Sequence, residues 1–381
     1  MKIINGDRLA ETFKTLAGID SISKEEGALC RWLQQRLQEL GFHTAVDQAG
    51  SKVGGNTGNL IAHWRGNRAA APLLLSAHMD TVEPGRGVKV QFKEGVFTSA
   101  GDTILGADDK SALAVMLEAI SCIQENHIPC GPLELVITIC EEIGLLGAKH
   151  LDYGQITARM GYVLDTRNPQ AIITRAPSSN RFEFRIHGKA AHAGAAPERG
   201  INAIALASKA IAQLNLGRID SETTCNIGLI EGGLATNIVP DLVVIKGEAR
   251  SHDEAKLEQV TAAVVSAFEQ AVAAGRQQSG EALPMLEKDI QSDFRRLFID
   301  AGHPVVALAQ QAAQHIGQRM DMASSGGGSD ANVFAEHGII TAVLGTGMEN
   351  VHTVNESIAL ADMLRATNLL IEIIRIHAER S

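Results

Sequence analysis

Short apolar runs, each long enough for one buried β-strand, alternate with helical patterns along much of this chain of 381 residues. The clearest runs lie at residues 73–75, 133–140, 161–164 and 339–344. Strands that are covered on both faces have continuous apolar sequences, and alternation of strands with helices is typical of α/β folds. The sequence therefore predicts an α/β domain with a mixed sheet between helices.

The pattern changes near Pro177, where residues 181–187 alternate between apolar and polar as a half-exposed strand does. A helix, two strands, a long helix and a last strand follow, and this order is typical of a ferredoxin-like α+β domain. Because the chain is too long for one ordinary core, two domains are expected. We predict a lid domain at 176–292, inserted in a catalytic domain formed by 1–175 and 293–381.

The formal net charge of −10 argues against nucleic acid or an anionic membrane as a partner. The first residues do not resemble a secretory signal, and no window approaches the roughly 20 apolar residues that span a bilayer. Five cysteines are scattered among apolar segments, which indicates reduced core residues rather than a disulfide framework. These features predict a cytoplasmic protein.

Residues with metal-binding side chains follow several of the apolar runs. His78, Asp165 and the pair Glu141-Glu142 end three of them, and His352 follows a fourth. Ligands of α/β sheets gather at the carboxyl ends of strands, so these side chains are expected to meet. A histidine at a strand end is usually a hydrogen-bonded core residue, but Asp80 lies two residues further on the same face and can orient its imidazole.

Two acidic pairs have more than one interpretation. Asp108 and Asp109 precede a helical pattern, where carboxylates often only cap the helix. Glu141 and Glu142 end an apolar strand, so a cation would relieve their repulsion. One of them can bind the cation while the other, with a raised pKa, acts as general base. The residues alone do not decide which member of either pair binds metal.

The candidate ligands are too many for one tetrahedral zinc ion. Two histidines with three or four carboxylates suit two ions about 3.5–4 Å apart that share a bridging carboxylate. Nitrogen and oxygen ligands without cysteine favour two Zn²⁺ ions, with Mn²⁺ or Co²⁺ as alternatives.

The ordered motifs resemble those of a known superfamily. They are SAHMDT at 76–81, LGADDK at 105–110, EEIGLLGAKH at 141–150, Asp165, HAG at 192–194 and His352. Together they resemble the peptidase T / glutamate carboxypeptidase / aminoacylase superfamily of co-catalytic zinc hydrolases. The resemblance covers essentially the whole chain and is strongest to the peptidase T-like tripeptidases.

This resemblance implies a division of work among the metal ligands. It implies that His78 and Asp165 bind one zinc ion, that Glu142 and His352 bind the other, and that Asp108 bridges the two. It also implies a cis peptide bond after Asp108.

The resemblance further implies the catalytic roles of two carboxylates. Asp80 would hold His78. Glu141 would deprotonate the metal-activated bridging water and then pass a proton to the leaving amine.

The resemblance also implies substrate-binding residues in the lid. His192 would stabilise the oxyanion, often from the neighbouring subunit of a homodimer paired through the lid, while Asn237 and Arg250 would grip a substrate carboxylate. From the residues alone, the three are an ordinary loop histidine, a turn residue and a surface charge.

Two departures from peptidase T leave the substrate open. Thr166-Arg167 follows Asp165 where peptidase T typically has Gly-Gly, and the segment at 237–240 is more similar to the carboxypeptidase and amidohydrolase branches. The expected function is a metallopeptidase that acts on small peptides as an aminopeptidase or tripeptidase. The alternatives are a carboxypeptidase or N-acyl amino acid amidohydrolase on the same scaffold, and a non-catalytic metal-binding homologue.

Overall fold

The computed structural model describes residues 3–280 and 282–380, which form two compact units. The first unit contains the described residues of Met1–Arg175, Leu297–Ser325 and Ser329–Ser381. The second contains those of Ala176–Arg296 together with Gly326–Gly328.

The first unit begins with helices and strands in alternation. In chain order they are α1 (Gly6–Ala17), α2 (Gly27–Glu39), β1 (His43–Val46), α3 (Ala49–Val53), β2 (Leu60–Trp64), β3 (Leu73–His78), β4 (Val90–Lys93), β5 (Val96–Ser99), α4 (Ala107–Glu125), β6 (Leu133–Thr138), α5 (Leu146–Lys149), β7 (Met160–Thr166) and β8 (Ala171–Ala176).

The second unit follows, and the chain then returns to the first. The elements of the second unit are β9 (Ser178–His187), α6 (Ala203–Ile211), β10 (Gly217–Arg218), β11 (Thr223–Gly232), β12 (Leu242–Ser251), α7 (Glu254–Ser279) and β13 (Met285–Phe294). The first unit is completed by β14 (Leu297–Phe298), α8 (Pro304–His315), β15 (Asp321–Ser324), α9 (Asp330–Glu336), β16 (Ile340–Gly345), β17 (Met348–Glu349), β18 (Ser357–Ala359) and α10 (Leu360–Glu379).

A mixed sheet forms the centre of the first unit, with the strand order β1-β2-β6-β3-β7-β16-β8-β14 and with β15 paired to β8. The neighbouring strands β6, β3, β7 and β16 run parallel, whereas β2 runs antiparallel to β1 and β6, and β8 runs antiparallel to β16 but parallel to β15. Every residue of β3 and of β6 is buried, which requires cover on both faces and explains the continuous apolar runs. The predicted α/β fold with a mixed sheet is therefore confirmed.

Helices of the first unit pack in two connected groups. In the first group, α4 contacts α1 and α10, and α10 contacts α8. Helix α4 also contacts β3 and β7. Helices α3, α5 and α9 form the other group, in which α9 contacts β16 and β7. The strands β4, β5, β17 and β18 form a separate small antiparallel sheet.

The second unit is a five-stranded antiparallel sheet in the order β10-β11-β12-β9-β13. Helices α6 and α7 pack against it around a core in which the rings of Phe184 and Phe268 stack at 4.2 Å. Leaving aside the short β10, the chain order is β-α-β-β-α-β, the ferredoxin-like arrangement. The predicted insertion at 176–292 ends within β13, whose pairing with β9 continues to Phe294.

Two further observations concern membrane-spanning helices and the cysteines. Among residues 3–280 and 282–380, no helix combines the length and apolar character needed to cross a membrane. All five cysteines are buried and free, so the prediction of reduced core thiols is confirmed.

We predict that Gly161→Ala destabilises the first unit. Gly161 lies opposite Leu74 in the parallel pairing of β7 with β3, and a Cβ at Gly161 would lie 2.0 Å from the Leu74 main-chain oxygen. Overpacking of this kind costs about 1–3 kcal/mol, so chemical denaturation should show a lower midpoint. Gly6→Ala is the control, because its Cβ would be in ordinary contact with the Leu364 side chain, 3.7 Å from Cδ2 and 3.9 Å from Cδ1. Equal midpoints for the two variants would contradict the packing described for β3 and β7.

Candidate metal centre

The candidate ligands meet where parallel strands of the main sheet end. Strand β3 ends at His78, which is paired with Thr138 at the end of β6. Asp165 lies near the end of β7, the other neighbour of β3. The prediction that carboxyl strand ends gather these side chains agrees with this arrangement.

Five side chains form two groups that could each hold a metal ion. His78, Asp108 and Asp165 form one group, and Asp108, Glu142 and His352 form the other. Within each group the potential ligand atoms lie within 4.8 Å of one another. Asp108 belongs to both groups.

The two carboxylate oxygens of Asp108 face different groups. Oδ1 lies 3.0 Å from Nε2 of His78, whereas Oδ2 lies 3.3 Å from Nε2 of His352. Glu142 Oε1 lies 2.9 Å from the same His352 nitrogen. Asp108 is thus in position to bridge two cations.

Asp109 belongs to neither ligand group within the described parts of the chain. Its Oδ2 accepts the main-chain N–H of His78 at 3.3 Å. Asp108 and Asp109 have non-helical backbone angles at the beginning of α4, so the helix becomes regular only after them. The peptide bond between them is cis, as the family resemblance implied. The two aspartates therefore contact the site histidines, and the capping interpretation does not describe them.

The electrostatics of the cluster fit a cation-binding site. Burial, followed by the charge of Asp108, raises the pKa of Asp165 well above its usual value, and burial also raises the pKa of Glu142. Burial opposes ionisation of Asp108, but hydrogen bonds from His352 and His78 lower its pKa overall. The pKa of His352 is raised to about 10 by its hydrogen bonds to Asp108 and Glu142. Positive charge is therefore favoured here, and divalent cations fit a donor set of carboxylates and imidazoles.

The orientation of His78 fixes which ring nitrogen is available to a metal. Nδ1 lies 2.9 Å from the main-chain oxygen of Asp80 and 3.5 Å from its Oδ1. A carbonyl oxygen only accepts hydrogen bonds, so Nδ1 carries a proton, and Nε2, which faces Asp108, is the nitrogen that a metal ion can bind once the ring is neutral. Asp80 thus orients His78, mainly through its main chain rather than through the predicted carboxylate.

The Asp80 carboxylate has another task. It is fully buried, and its two oxygens accept the main-chain N–H groups of Glu141 at 2.9 Å and of Glu142 at 3.2 Å. The Ser23 hydroxyl also donates to it at 2.7 Å. Asp80 therefore fixes the backbone that carries both glutamates.

Glu141 lies beside the two ligand groups without belonging to either of them within the described parts of the chain. Its side chain is buried, and burial, followed by the charge of Asp165, raises its pKa well above the usual value. A carboxylate with a raised pKa can take up a proton and later release it. This property suits the predicted general base.

Three supporting residues were not predicted from the sequence. Ser23 and Glu26 resemble a helix cap, yet Ser23 donates to Asp80, and Glu26 accepts the N–H groups of Lys24 and Cys140 at 3.0 Å each. Asp330 is buried and accepts a hydrogen bond from the Thr138 hydroxyl at 2.5 Å, and burial raises its pKa to about 6. The only sequence signal for Asp330 is its place after the glycine-rich stretch 326–328.

In the second unit, His192 and Asn237 lie on adjacent loops. The main-chain N–H of Ala193 donates to the main-chain oxygen of Asn237 at 2.9 Å, and His192 forms a β-bridge with Ile238. His192 Nδ1 accepts the N–H groups of Gly194 and Ala195 at 3.1 Å each. The neutral ring therefore carries its proton on Nε2, which can donate to a ligand.

Arg250 does not join these two residues. It lies near the end of β12, where its guanidinium donates to Glu248 at 3.0 Å. The loop with Asn237 leads into the beginning of β12, at Leu242. The strand between Leu242 and Arg250 spans about 26 Å, at roughly 3.3 Å per residue. Arg250 therefore lies near the opposite end of β12 from the loop that carries Asn237.

Comparisons with known proteins find relatives that match nearly the whole chain. A Bacillus subtilis protein of uncharacterised function, YqjE, is 43% identical over 98% of this chain and 99% of its own length. The structure of aminopeptidase PepT from Bacillus cereus is 42% identical, has a TM-score of 0.87, and matches 99% of this chain and 100% of its own. A Staphylococcus aureus tripeptidase structure is 36% identical, with a TM-score of 0.91 and the same coverage of both chains.

A family model also matches most of the chain. Residues 74–376 fit the description "Peptidase family M20/M25/M40", a range that includes all seven predicted metal-binding and catalytic residues. The resemblance to the peptidase T superfamily is thereby confirmed, and the chain is a peptide-bond hydrolase that belongs to peptidase family M20/M25/M40.

Proposed function

We propose that this chain is a dinuclear zinc peptidase that removes residues from the amino end of small peptides, in the manner of peptidase T. The observation that carries the proposal is the position of Asp108, whose two oxygens face two separate groups of histidine and carboxylate ligands. A single-ion site has no need for a carboxylate shared in this way.

The ligand assignment follows from the two groups. His78 and Asp165 would hold one ion, Glu142 and His352 would hold the other, and Asp108 would bridge them. Nitrogen and oxygen donors of this kind suit Zn²⁺, and Mn²⁺ or Co²⁺ would also fit.

Glu141 is the proposed general base. When bound, the two ions would polarise the scissile carbonyl and lower the pKa of the attacking water. Glu141 would take the proton from that water and deliver it to the leaving amine. Its burial supports this role, because a carboxylate with a raised pKa can serve as base and then as acid. Asp80 would keep Glu141 in place through its main-chain N–H.

The relatives support the choice of substrate. The Bacillus cereus and Staphylococcus aureus proteins of similar structure are an aminopeptidase and a tripeptidase, at 42% and 36% identity. A small peptide with a free amino terminus is therefore the substrate we propose. The five free, buried thiols support a cytoplasmic location, where disulfides are rare.

Substrate binding is proposed to need two copies of the chain. His192 would donate from Nε2 to the oxyanion, while Asn237 and Arg250 would bind the substrate carboxylate. A tripeptide spans only about 10 Å. The length of about 26 Å along β12 supports the view that His192 and Arg250 reach one substrate from different subunits. Asn237 would then belong with His192.

Arg167 supports a second candidate substrate class, in which a substrate carboxylate is bound near the candidate metal ligands. Arg167, two residues after Asp165, is exposed and forms an ion pair with Glu349. An arginine so close to the candidate ligands favours a substrate carboxylate over an amine, as in a carboxypeptidase or an N-acyl amino acid amidohydrolase. Faster hydrolysis of N-acyl amino acids than of tripeptides, in a panel that also includes dipeptides, would favour this rival.

We predict that Glu141→Gln lowers kcat for a tripeptide by about 10²–10⁴-fold, because the proton acceptor is lost. The variant should still bind two metal ions per chain, measured by elemental analysis after dialysis. Glu142→Gln is the matched neighbour and should lose metal as well as activity. If Glu142→Gln keeps its metal and Glu141→Gln loses it, then Glu141 is the metal ligand and Glu142 the base. If Glu141→Gln remains active, Glu141 is not the general base.

The two-copy site has its own test. His192→Ala and Arg250→Ala should each be nearly inactive as pure proteins. The first loses an oxyanion donor, which alone costs about 10²–10³-fold, and the second loses the charged partner of the substrate carboxylate. If the residues act from different subunits, subunit exchange between the variants restores one intact site in each mixed dimer. An equal mixture should then regain about a quarter of the wild-type activity, since roughly half of the dimers are mixed. No recovery after verified exchange would contradict the arrangement.

A further inference from the structure

Glu356 is a buried carboxylate that binds the turn before the candidate metal centre. Its Oε2 accepts the N–H groups of Leu105 at 2.8 Å and of Gly106 at 2.7 Å, and its Oε1 accepts that of Asp108 at 2.9 Å. Only 1% of Glu356 is exposed. One side chain thus holds three main-chain groups of the segment that carries Asp108.

This turn needs an external partner. Gly106 has a left-handed backbone with φ 76°, and Asp108 has a ψ of 103°, so this stretch is not a regular helical turn. The first N–H groups of a helix have no partner within the helix. Glu356 satisfies such groups, and this makes the direction of the Asp108 side chain depend on it.

Glu356 also connects the turn to the second ligand group. It lies four residues after His352, and its own N–H donates to the Thr353 main-chain oxygen at 3.1 Å. The Thr353 hydroxyl in turn donates to the main-chain oxygen of Asn350 at 2.7 Å. A short folded segment therefore supplies both a candidate ligand and the carboxylate that holds Asp108.

A buried lysine lies within electrostatic reach of Glu356. Lys110, one turn into α4, is 1% exposed and donates from Nζ to the Ile19 main-chain oxygen at 2.7 Å. Burial lowers the pKa of Lys110 to about 8, and the charges of Asp20 and Glu356 act in the opposite direction. The carboxylate is therefore part of a built arrangement rather than a chance surface contact.

We propose that Glu356 is a positioning residue that sets the directions of both Asp108 oxygens and so couples the two metal sites. The inference rests on the proposed dinuclear function and concerns a residue outside both ligand groups. If the carboxylate is altered, Asp108 can still face one histidine but is no longer held between His78 and His352.

Glu356→Gln is the direct test, because the amide has the same shape but directs an NH₂ group at a main-chain N–H donor. We expect the second Zn²⁺ ion to bind about 10–100-fold more weakly to this variant than to the wild type, measured by calorimetric titration of metal-free protein. Two ions bound with wild-type affinities would overturn the inference. Failure of the wild type to bind two ions would instead overturn the proposed function.

Glu134→Gln is the matched control. Glu134 is also a buried carboxylate, and it accepts the N–H groups of Thr157 and Ala158 at 2.9 Å each, near the start of β6 and away from the candidate ligands. The Glu134→Gln variant should have a lower denaturation midpoint than the wild type but unchanged affinities for both Zn²⁺ ions. An equal loss of Zn²⁺ affinity in this control would reduce the role of Glu356 to general stability and overturn the inference.

A measurement on the wild type covers the case in which Glu356→Gln does not fold. Hydrogen exchange of the metal-free protein should show the amides of Leu105, Gly106 and Asp108 protected as strongly as amides within α4. Rapid exchange at these three amides would contradict their binding by Glu356 and overturn the inference.

Discussion

Repulsion among buried carboxylates is the constraint on which the first unit depends. The carboxylates of Glu142 and Asp165, which lie near strand ends, gather with that of Asp108, at the beginning of α4, and with two histidines. Such a cluster is costly unless positive charge compensates it. Main-chain hydrogen bonds hold the turns that carry these ligands. The buried carboxylates of Asp80 and Glu356 accept the N–H groups of those turns and keep them in place. Rigid support of this kind is what a metal centre requires of its surroundings.

The sequence predicted the part of the site that follows from strand topology. Continuous apolar runs identified the buried strands, and the residues at their ends, His78 and Asp165 among them, meet as expected. Periodicity could not separate Asp108 from Asp109, because both begin the same helix and the choice depends on backbone angles that break the helical pattern. The family resemblance supplied the assignment of Asp108, and the geometry agrees with it.

Supporting residues were harder to predict, because long-range contacts leave no local pattern. Ser23 and Glu26 match the spacing of a helix cap, yet they bind Asp80 and Cys140 far along the chain. Glu356 precedes the last helix and looks equally local in the sequence, although its partners lie about 250 residues earlier. In the second unit, the sequence predicted the ferredoxin-like order of the elements. The separation of His192 from Arg250 became clear only from the register of the paired strands.

The central claim is that Asp108 bridges two metal ions. Crystals of the zinc-loaded protein, measured at the zinc absorption edge, test this most directly because anomalous scattering locates each ion independently of any assigned role. Two peaks per chain about 3.5–4 Å apart, with one Asp108 oxygen directed at each, are the predicted result. A single peak, or an ion bound by Asp109 in place of Asp108, would contradict the claim.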